Sequence, residues 1–322
     1  FYRVRAYNAY GYSQSSGEVS ISIPYRAGDL AGTDPIVGEL RYVPGGAFQQ
    51  GSPAGEPCRN DDETPFDHTL TADLAVMATE VTRQMWADLK ALQPGLPADP
   101  TISSTGSGTD NPVQHVLWFE AVLFANLLSG HEGLTPCYYK DAAFTMLLTS
   151  ANYQNGSPIY CHFSADGYRL PTEGEWEYSC RSGLPGPFCV DEPAFTAGQC
   201  DSYITTPGTW PMLESVAWFS ANRYDPAGNN TSKPAGARTA NLWSLHDLHG
   251  NAKEWCWDRY APYPDGAATD YRGSDSGDSR VMRGGSWNST PAWCRSAFRG
   301  HLEPWERTEN AGFRLVRKIP AP

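Results

Sequence analysis

The sequence predicts an α+β protein built from short strands, two or three helices and long loops. Its 322 residues include 31 Gly, 26 Pro, 11 Trp and 17 Tyr, a composition typical of a turn-rich, aromatic-rich globule. Hydrophobic residues make up 40% of the chain and charged residues 19%, so a sizeable core can form. Helical spacing of apolar residues is confined to a few stretches, and the remaining sequence predicts short strands and loops.

Residues 1–24 predict a β-hairpin. Apolar and polar residues alternate over 1–7, a turn follows at 8–11, and a second run of period two spans 19–23. These strands resemble the last two strands of a fibronectin type III module, a fold of about seven strands. The predicted division is the end of such a module at 1–24, a linker at 25–38 and one domain over 39–322.

Three stretches predict helices. Apolar residues recur on one side over 81–92 and over 118–128. A third, shorter helix should begin at Thr172, because Thr172 and Glu175 have the spacing of a capping box.

The charge of the chain bears on its partners. A net charge of −12 argues against nucleic acid, because phosphate binding needs a basic surface. No apolar run is long enough to span a bilayer. Residue 1 is not followed by the pattern of a signal peptide, but the chain begins in mid-pattern, so an export signal could lie upstream.

The chain has eight cysteines without the spacing of a zinc array. An even number is compatible with disulfides and an oxidising compartment, and reduced core cysteines explain it equally well. The local candidates for pairing are Cys137–Cys161 and Cys189–Cys200.

Motifs follow one another in a fixed order from residue 43 to the C-terminus. They are VPGGAF at 43–48, NPV at 111–113, GLTPCY at 133–138, GYRLPTEGEWEY at 167–178, GNAKEW at 250–255 and RGGSW at 283–287. Together they resemble the formylglycine-generating-enzyme domain of sulfatase-modifying proteins, a variant of the C-type lectin fold. The resemblance implies that fold but not a function, since the fold hosts oxidases, inactive paralogues and binding proteins.

The resemblance also implies where an oxidase would bind copper. Enzymes of this family hold Cu(I) with two cysteines five residues apart after the Gly-Gly-Ser-Trp block, and these positions are Ser289 and Cys294 here. A serine hydroxyl cannot replace a thiolate on Cu(I), so no copper is expected. Cys294 is then either a buried thiol or the partner of Cys256 in a disulfide. We expect the seven histidines to be surface or supporting residues rather than a metal centre.

The family resemblance further implies a structural Ca²⁺ site. By position its ligands would be the carbonyls of His249, Gly250 and Ala252 with the Glu254 carboxylate, and hard oxygen ligands suit Ca²⁺. Lys253 places a positive charge beside this site. The alternative is that Glu254 pairs with an arginine.

The C-terminus resembles the variable proteins of diversity-generating retroelements more closely than it resembles the enzymes. Their pattern is Arg-Gly-Gly-Ser-Trp, a varied run, Cys-Arg-Ser-Ala, a second varied run and Gly-Phe-Arg-Leu-Val, and each fixed block is present over 283–316. Trp293 and Trp305 would give such a surface large contact area at small entropic cost, unless they are partly buried and merely brace the loops. The candidate ligand-binding residues are Met282, Asn288, Ser289, Thr290, Trp293, Phe298, Gly300, His301, Leu302, Glu303, Trp305, Glu306, Thr308 and Glu309.

These features favour a non-catalytic ligand-binding protein, receptor-like or adhesin-like, displayed outside the cell and holding a protein or cell-surface ligand. One alternative is an oxidoreductase of the formylglycine-generating superfamily with altered chemistry. Another is an inactive paralogue that binds sulfatases.

Overall fold

The computed structural model describes residues 7–8, 11–12, 25–106, 108–154, 156, 158–193, 195–200, 207–224, 228 and 230–319. These residues form short strands, four α-helices and long connections, which confirms the α+β prediction. The α-helices are α1 (Arg83–Leu92), α2 (Trp118–His131), α3 (Glu173–Arg181) and α4 (Pro211–Val216). The strands are β1 (Tyr7–Asn8), β2 (Gly11–Tyr12), β3 (Leu30–Asp34), β4 (Gly38–Val43), β5 (Gly46–Gln50), β6 (Phe66–Leu70), β7 (Leu74–Met77), β8 (Tyr138–Tyr139), β9 (Tyr160–Cys161), β10 (Tyr168–Arg169), β11 (Lys253–Arg259), β12 (Ala268–Thr269), β13 (Arg280–Arg283), β14 (Gly300–Leu302), β15 (Ala311–Gly312) and β16 (Val316–Lys318).

The largest sheet has five strands in the order β10-β16-β7-β4-β3. It places the C-terminal strand β16 between β10 and β7, antiparallel to both. The edge strand β3 lies inside 25–38, so the prediction of a linker there is wrong. The Asp34 carboxylate accepts the amides of Ile36 and Val37 in a tight turn, and both of these apolar side chains are buried in the core.

The predicted fibronectin-like end at 1–24 lies almost entirely outside the described residues. Only β1 and β2 are described, and they pair antiparallel with Tyr7 opposite Tyr12.

A second sheet of four strands carries the C-terminal blocks in the order β14-β13-β11-β15. Its central strand β11 is antiparallel to β13 and parallel to β15. A third sheet has the order β12-β6-β5. The four-stranded sheet therefore brings residues 280–283, 300–302 and 311–312 together, although they are separated in the chain.

The helix boundaries follow the capping residues. Thr172 and Glu175 form the predicted capping box of α3. Helix α1 begins at Arg83 rather than at 81, because Thr82 is extended and its hydroxyl accepts the Met85 amide at 3.2 Å. The short helix α4 was not predicted from the sequence. Among the described residues, no helix is long and apolar enough to cross a membrane.

The core contains several fully buried tryptophans whose indole N–H groups bond to backbone carbonyls. Trp118 Nε1 donates to the Cys256 carbonyl and Trp255 Nε1 to the Val116 carbonyl, both at 2.9 Å. Burying these rings supplies much of the hydrophobic stabilisation, and the bonds remove the cost of desolvating the N–H groups.

The one disulfide of the described residues joins Cys58 to Cys200. The two pairs that are close in sequence are not formed. Cys137, Cys161 and Cys189 are free thiols, and the Cys137 thiol donates to the Gly167 carbonyl at 3.3 Å. The observed pair is separated by 142 residues, so sequence proximity could not have indicated it.

Candidate ligand-binding face

The fixed blocks of the C-terminus are anchored by buried arginines. Arg295 extends from the loop after β13 to Glu56 and Glu63, with three nitrogen–oxygen distances of 2.7 Å. Arg299 binds both oxygens of Glu173 at 2.7 and 2.9 Å. Removing one partner of such a buried pair costs about 3–5 kcal/mol, so the loops between these blocks are held on a rigid base.

A second pair of buried arginines anchors the strands. Arg283 of β13 binds Glu177 of α3 at 2.5 Å and donates to the Ala297 carbonyl at 3.0 Å. Arg314 binds Glu254 of β11 at 2.7 Å. The arginines recognised in the sequence blocks are therefore structural, and none of these four presents its charge to solvent.

The Gly284-Gly285 turn between these anchors admits no side chain. Both glycines have positive φ, +90° and +69°. A Cβ on Gly285 would lie 2.8 Å from the Cys294 sulfur, and one on Gly284 would lie 3.1 Å from the Trp176 ring. The chain can therefore pass close under the loop 288–294 only because these two positions are glycine.

The structure divides the predicted ligand-binding residues into three groups. Exposed side chains belong to Trp293, His301, Trp305, Glu306 and Glu309. The half-buried residues are Asn288, Phe298, Gly300, Leu302, Glu303 and Thr308. We call these eleven residues the C-terminal face.

The prediction is wrong for Met282, Ser289 and Thr290, which are at most 5% exposed. Met282 lies in the middle of the sheet, opposite Trp255 on one neighbouring strand and Gly300 on the other. The Ser289 hydroxyl accepts the Ser286 amide at 3.0 Å. These side chains support the face from beneath and cannot reach a ligand.

Aromatic rings dominate the exposed part of the face. Trp293 stacks on Phe298 with centroids 5.7 Å apart and planes at 11°, yet 44% of Trp293 is exposed. Trp305 is 58% exposed and makes no ring contact among the described residues. The bracing alternative therefore applies to one side of Trp293, and for Trp305 it stays a prediction that substitution of this ring tests.

Two residues outside the predicted set contribute to the face. Lys253 of β11 places its ammonium 5.3 Å from the Trp293 ring, a cation–π distance. Tyr260 stacks on His301 at 4.1 Å. Both lie upstream of the fixed blocks in the chain, and only the pairing of β11 with β13 brings them here. No local sequence signal could have identified them.

Polar contacts fix the two loops of the face to each other and to the core. Arg307 binds the Glu120 carboxylate at the start of α2 at 2.8 Å. Asn310 donates to the side-chain oxygen of Asn288 at 2.9 Å, which links the loop 303–309 to the loop 288–293. The loops are thus held in place at both ends, while their tips remain exposed.

The residues at the copper-binding positions do not fit a Cu(I) site. Ser289 offers a hydroxyl that is engaged by Ser286. Burial raises the pKa of the Cys294 thiol to about 12, so it is protonated at neutral pH and is a poor ligand. Cys294 and Cys256 are both free thiols, so the disulfide alternative for Cys294 is wrong and the buried-thiol alternative is correct.

The Glu254 carboxylate does not fit a calcium ligand in this structure. One oxygen accepts Arg314 Nη2 at 2.7 Å, and the other accepts Trp176 Nε1 at 2.8 Å. The arginine pairing considered as the alternative is thus the arrangement present. The predicted contribution of His249 is its backbone carbonyl; its buried ring is engaged separately, because Nε2 accepts the Cys189 amide at 3.0 Å. Among the described residues, no three His, Cys, Asp or Glu side chains are grouped to hold a metal ion.

Comparisons with known proteins agree with this architecture. The profile of the sulfatase-modifying factor enzyme 1-like domain matches residues 31–319. A chaperone protein, LppX, of Paenibacillus barcinonensis is 27% identical over 89% of this chain and 92% of its own length. The formylglycine-generating enzyme of Streptomyces coelicolor is 26% identical over 87% of this chain and 88% of its own.

Two solved structures have the same fold. Treponema denticola variable protein 1 superposes with a TM-score of 0.67 and 25% identity, covering 87% of this chain and 95% of its own. PvdO from Pseudomonas aeruginosa gives a TM-score of 0.68 at 21% identity, covering 92% of this chain and 100% of its own.

This chain belongs to the family of sulfatase-modifying factor enzyme 1-like domains. Its fold is the C-type lectin fold of the formylglycine-generating type, as its sequence motifs predicted, and it resembles a variable protein in structure.

Proposed function

We propose that this protein is a non-catalytic, receptor-like or adhesin-like binding protein whose C-terminal face holds a protein or cell-surface ligand. The observation that carries the proposal is a difference in burial within the last forty residues, between the fixed sequence blocks and the loops that connect them. The arginines of the blocks are buried and paired, whereas Trp293 and Trp305 are 44% and 58% exposed at the loop tips. Exposed aromatic residues on loops over a rigid scaffold are typical of interaction sites.

The rigidity of the base supports a binding role. Because Arg295, Arg299 and Arg307 already fix the loops through ion pairs, a ligand would not have to order them, and less binding free energy would be lost as entropy. The exposed Glu306 and Glu309 beside the tryptophans would add polar selectivity. The similarity to Treponema denticola variable protein 1 supports the further proposal that these positions are diversified.

We also propose an extracellular or cell-surface location. The Cys58–Cys200 disulfide supports it, because structural disulfides persist in oxidising compartments. The five free cysteines that are buried among the described residues need no such environment, since reduced thiols are common in cores.

The binding proposal can be tested on fluorescently labelled protein with intact bacterial and eukaryotic cells, measured by flow cytometry. In a Trp293→Ala/Trp305→Ala variant the cell-associated signal should be reduced at least about tenfold, because interface tryptophans are often hot spots. The matched control is Met146→Ala/Leu242→Ala, which removes two exposed apolar side chains elsewhere. An equal loss in both variants, or none in the first, would contradict the proposal.

A second candidate is a client-binding paralogue, and the relative named as a chaperone protein favours it. In that case the face would bind a sulfatase or a similar enzyme rather than a cell-surface ligand. The two roles can be distinguished by passing a purified sulfatase, unfolded and then allowed to refold, over the immobilised protein. Retention on the immobilised protein, lost in the Trp293→Ala/Trp305→Ala variant, would favour the client-binding role.

A further inference from the structure

A cavity of about 300 Å³ lies outside the C-terminal face and shares no lining residue with it. It is bordered by β9, by the start of α3, by β16 and by the segment that follows β12. Its volume is at the lower end of the range for small-molecule sites. The function proposed above makes no use of it.

The cavity is basic in a strongly acidic chain. Three cationic side chains line it, from Arg169, Arg272 and Lys318, against the two carboxylates of Glu175 and Asp270. This excess of positive charge contrasts with the net charge of −12 for the whole chain.

Both carboxylates of the cavity are already engaged. Arg169 binds Glu175 through two bonds of 2.6 and 2.7 Å. Asp270 accepts the Thr71 amide at 2.8 Å and the Thr71 hydroxyl at 2.6 Å. Among the described residues, Arg272 and Lys318 form no ion pair, and the Arg272 side chain is exposed to solvent at the mouth of the cavity.

One aromatic ring holds two of the cations together. The guanidinium carbon of Arg272 lies 4.0 Å from the centroid of Phe163, and that of Arg169 lies 5.0 Å from it. Like charges so close repel each other, and the single carboxylate of Glu175, which is paired with Arg169, is the one that also attracts Arg272. An anion in the cavity would lower the repulsion among its three cations and would accept charge-assisted hydrogen bonds from Arg272 and Lys318, which form no ion pair among the described residues.

We propose that this cavity binds a small organic anion, with a carboxylate or phosphate group held by Arg272 and Lys318. Apolar lining supplies the second part of the site, because Phe144 and Phe163 border the same space as the cations. A ring or a short apolar body would pack on Phe144, whose other side is stacked by His162, and along the edge of Phe163, whose ring already lies under Arg272 and Arg169.

The test uses isothermal titration calorimetry with benzoate, phenyl phosphate and benzamide. Benzamide has the shape of benzoate without the charge. We expect benzoate or phenyl phosphate to bind at least about tenfold more tightly than benzamide, since one charge-assisted bond is enough for that ratio. The tighter of the two anions identifies the class, carboxylate or phosphate.

An Arg272→Gln/Lys318→Gln variant is expected to lose at least about tenfold in affinity for the preferred anion. The matched control is Lys90→Gln, which removes one positive charge from α1, outside the lining of the cavity. The proposal is overturned if neither anion binds the wild type at concentrations up to about 10 mM. It is equally overturned if benzamide binds as well as benzoate, or if the double variant binds like the control.

Discussion

Trp293 and Trp305 differ from the buried tryptophans of this chain in their surroundings. Trp255 is fully buried and donates its indole N–H to a carbonyl, whereas Trp305 is more than half exposed. The exposed part of the Trp305 ring stays in contact with water, so it contributes little to folding and is available to contact a ligand. Residue type alone could not distinguish these cases, and only the structure separates the supporting tryptophans from the exposed ones.

The contrast predicts a difference in stability. Trp305→Ala should change the free energy of unfolding by no more than about 0.5 kcal/mol, as for other surface substitutions. Trp255→Ala should lower it by about 3–5 kcal/mol, because a large cavity forms in the core. Urea denaturation followed by circular dichroism measures both. A loss of several kcal/mol for Trp305→Ala would show that this ring braces the loop.

Cys294 gives a prediction about reactivity. Burial raises the pKa of its thiol to about 12, and only the thiolate reacts quickly with alkylating reagents. In the folded protein at pH 8, iodoacetamide should leave Cys294 unmodified, and peptide mass spectrometry after digestion would show this. The same cysteine in urea-unfolded protein is the control and should be labelled. Rapid labelling in the folded state would restore the possibility of a reactive thiol there.

Helix α3 connects the C-terminal blocks to the core, because Glu173 and Glu177 on it bind Arg299 and Arg283. Burial acts to raise the pKa of Glu173, but Arg299 and Arg283 outweigh it, so the pKa lies below the usual 4.5. A carboxylate with a lowered pKa in the folded state stabilises the fold above its unfolded pKa. That stabilisation is lost as the pH falls below about 4.5 and through the folded pKa.

We expect the urea midpoint to fall as the pH is lowered below about 4.5. In a Glu173→Gln variant the midpoint should depend less steeply on pH. The variant should also be less stable at pH 7, since Arg299 and Arg283 lose their charged partner. Asp88→Asn on α1 is a suitable control, as Asp88 is exposed. Identical slopes for Glu173→Gln and the wild type would contradict the assignment.

Strand β11 allows a direct test of calcium binding. Because Arg314 and Trp176 occupy the Glu254 carboxylate, we expect EGTA to leave the melting temperature unchanged and added Ca²⁺ not to raise it. A ligand bound only by the folded state raises stability by mass action, so differential scanning fluorimetry would detect binding. If EGTA lowered the melting temperature and added Ca²⁺ restored it, Glu254 would have to leave Arg314 to bind the ion.

Local signals predicted some elements well and others poorly. The capping box at Thr172 identified the start of α3, because both bonds of that motif lie within four residues. The residues 81–82 have helical spacing but are extended, since the Val81 amide bonds to the Phe313 carbonyl from the far end of the chain. The Cys58–Cys200 disulfide and the contribution of Tyr260 to the face likewise depend on partners distant in sequence. Spacing within a segment cannot show such partners.

For the whole molecule, the family includes formylglycine-generating enzymes, and the chemistry at Ser289 and Cys294 separates this chain from them. Incubation with Cu(I), O₂ and a Cys-x-Pro-x-Arg peptide should give no aldehyde, because one thiolate ligand is replaced and the remaining thiol is buried and protonated. Mass spectrometry of the peptide is the readout, and an active formylglycine-generating enzyme is the positive control. Aldehyde formation would favour the altered-chemistry oxidoreductase.

We propose that the C-terminal face is a diversified binding surface on a fixed frame. The most direct measurement is to sequence the gene across strains together with its flanking DNA. We expect a nearby reverse transcriptase gene, an adenine-rich template repeat, and substitutions concentrated at exposed positions such as Trp293, His301 and Trp305. Arg283, Arg295, Arg299 and Arg314 should stay constant, because each is buried in an ion pair. An invariant C-terminus across strains, with no reverse transcriptase at the locus, would contradict it.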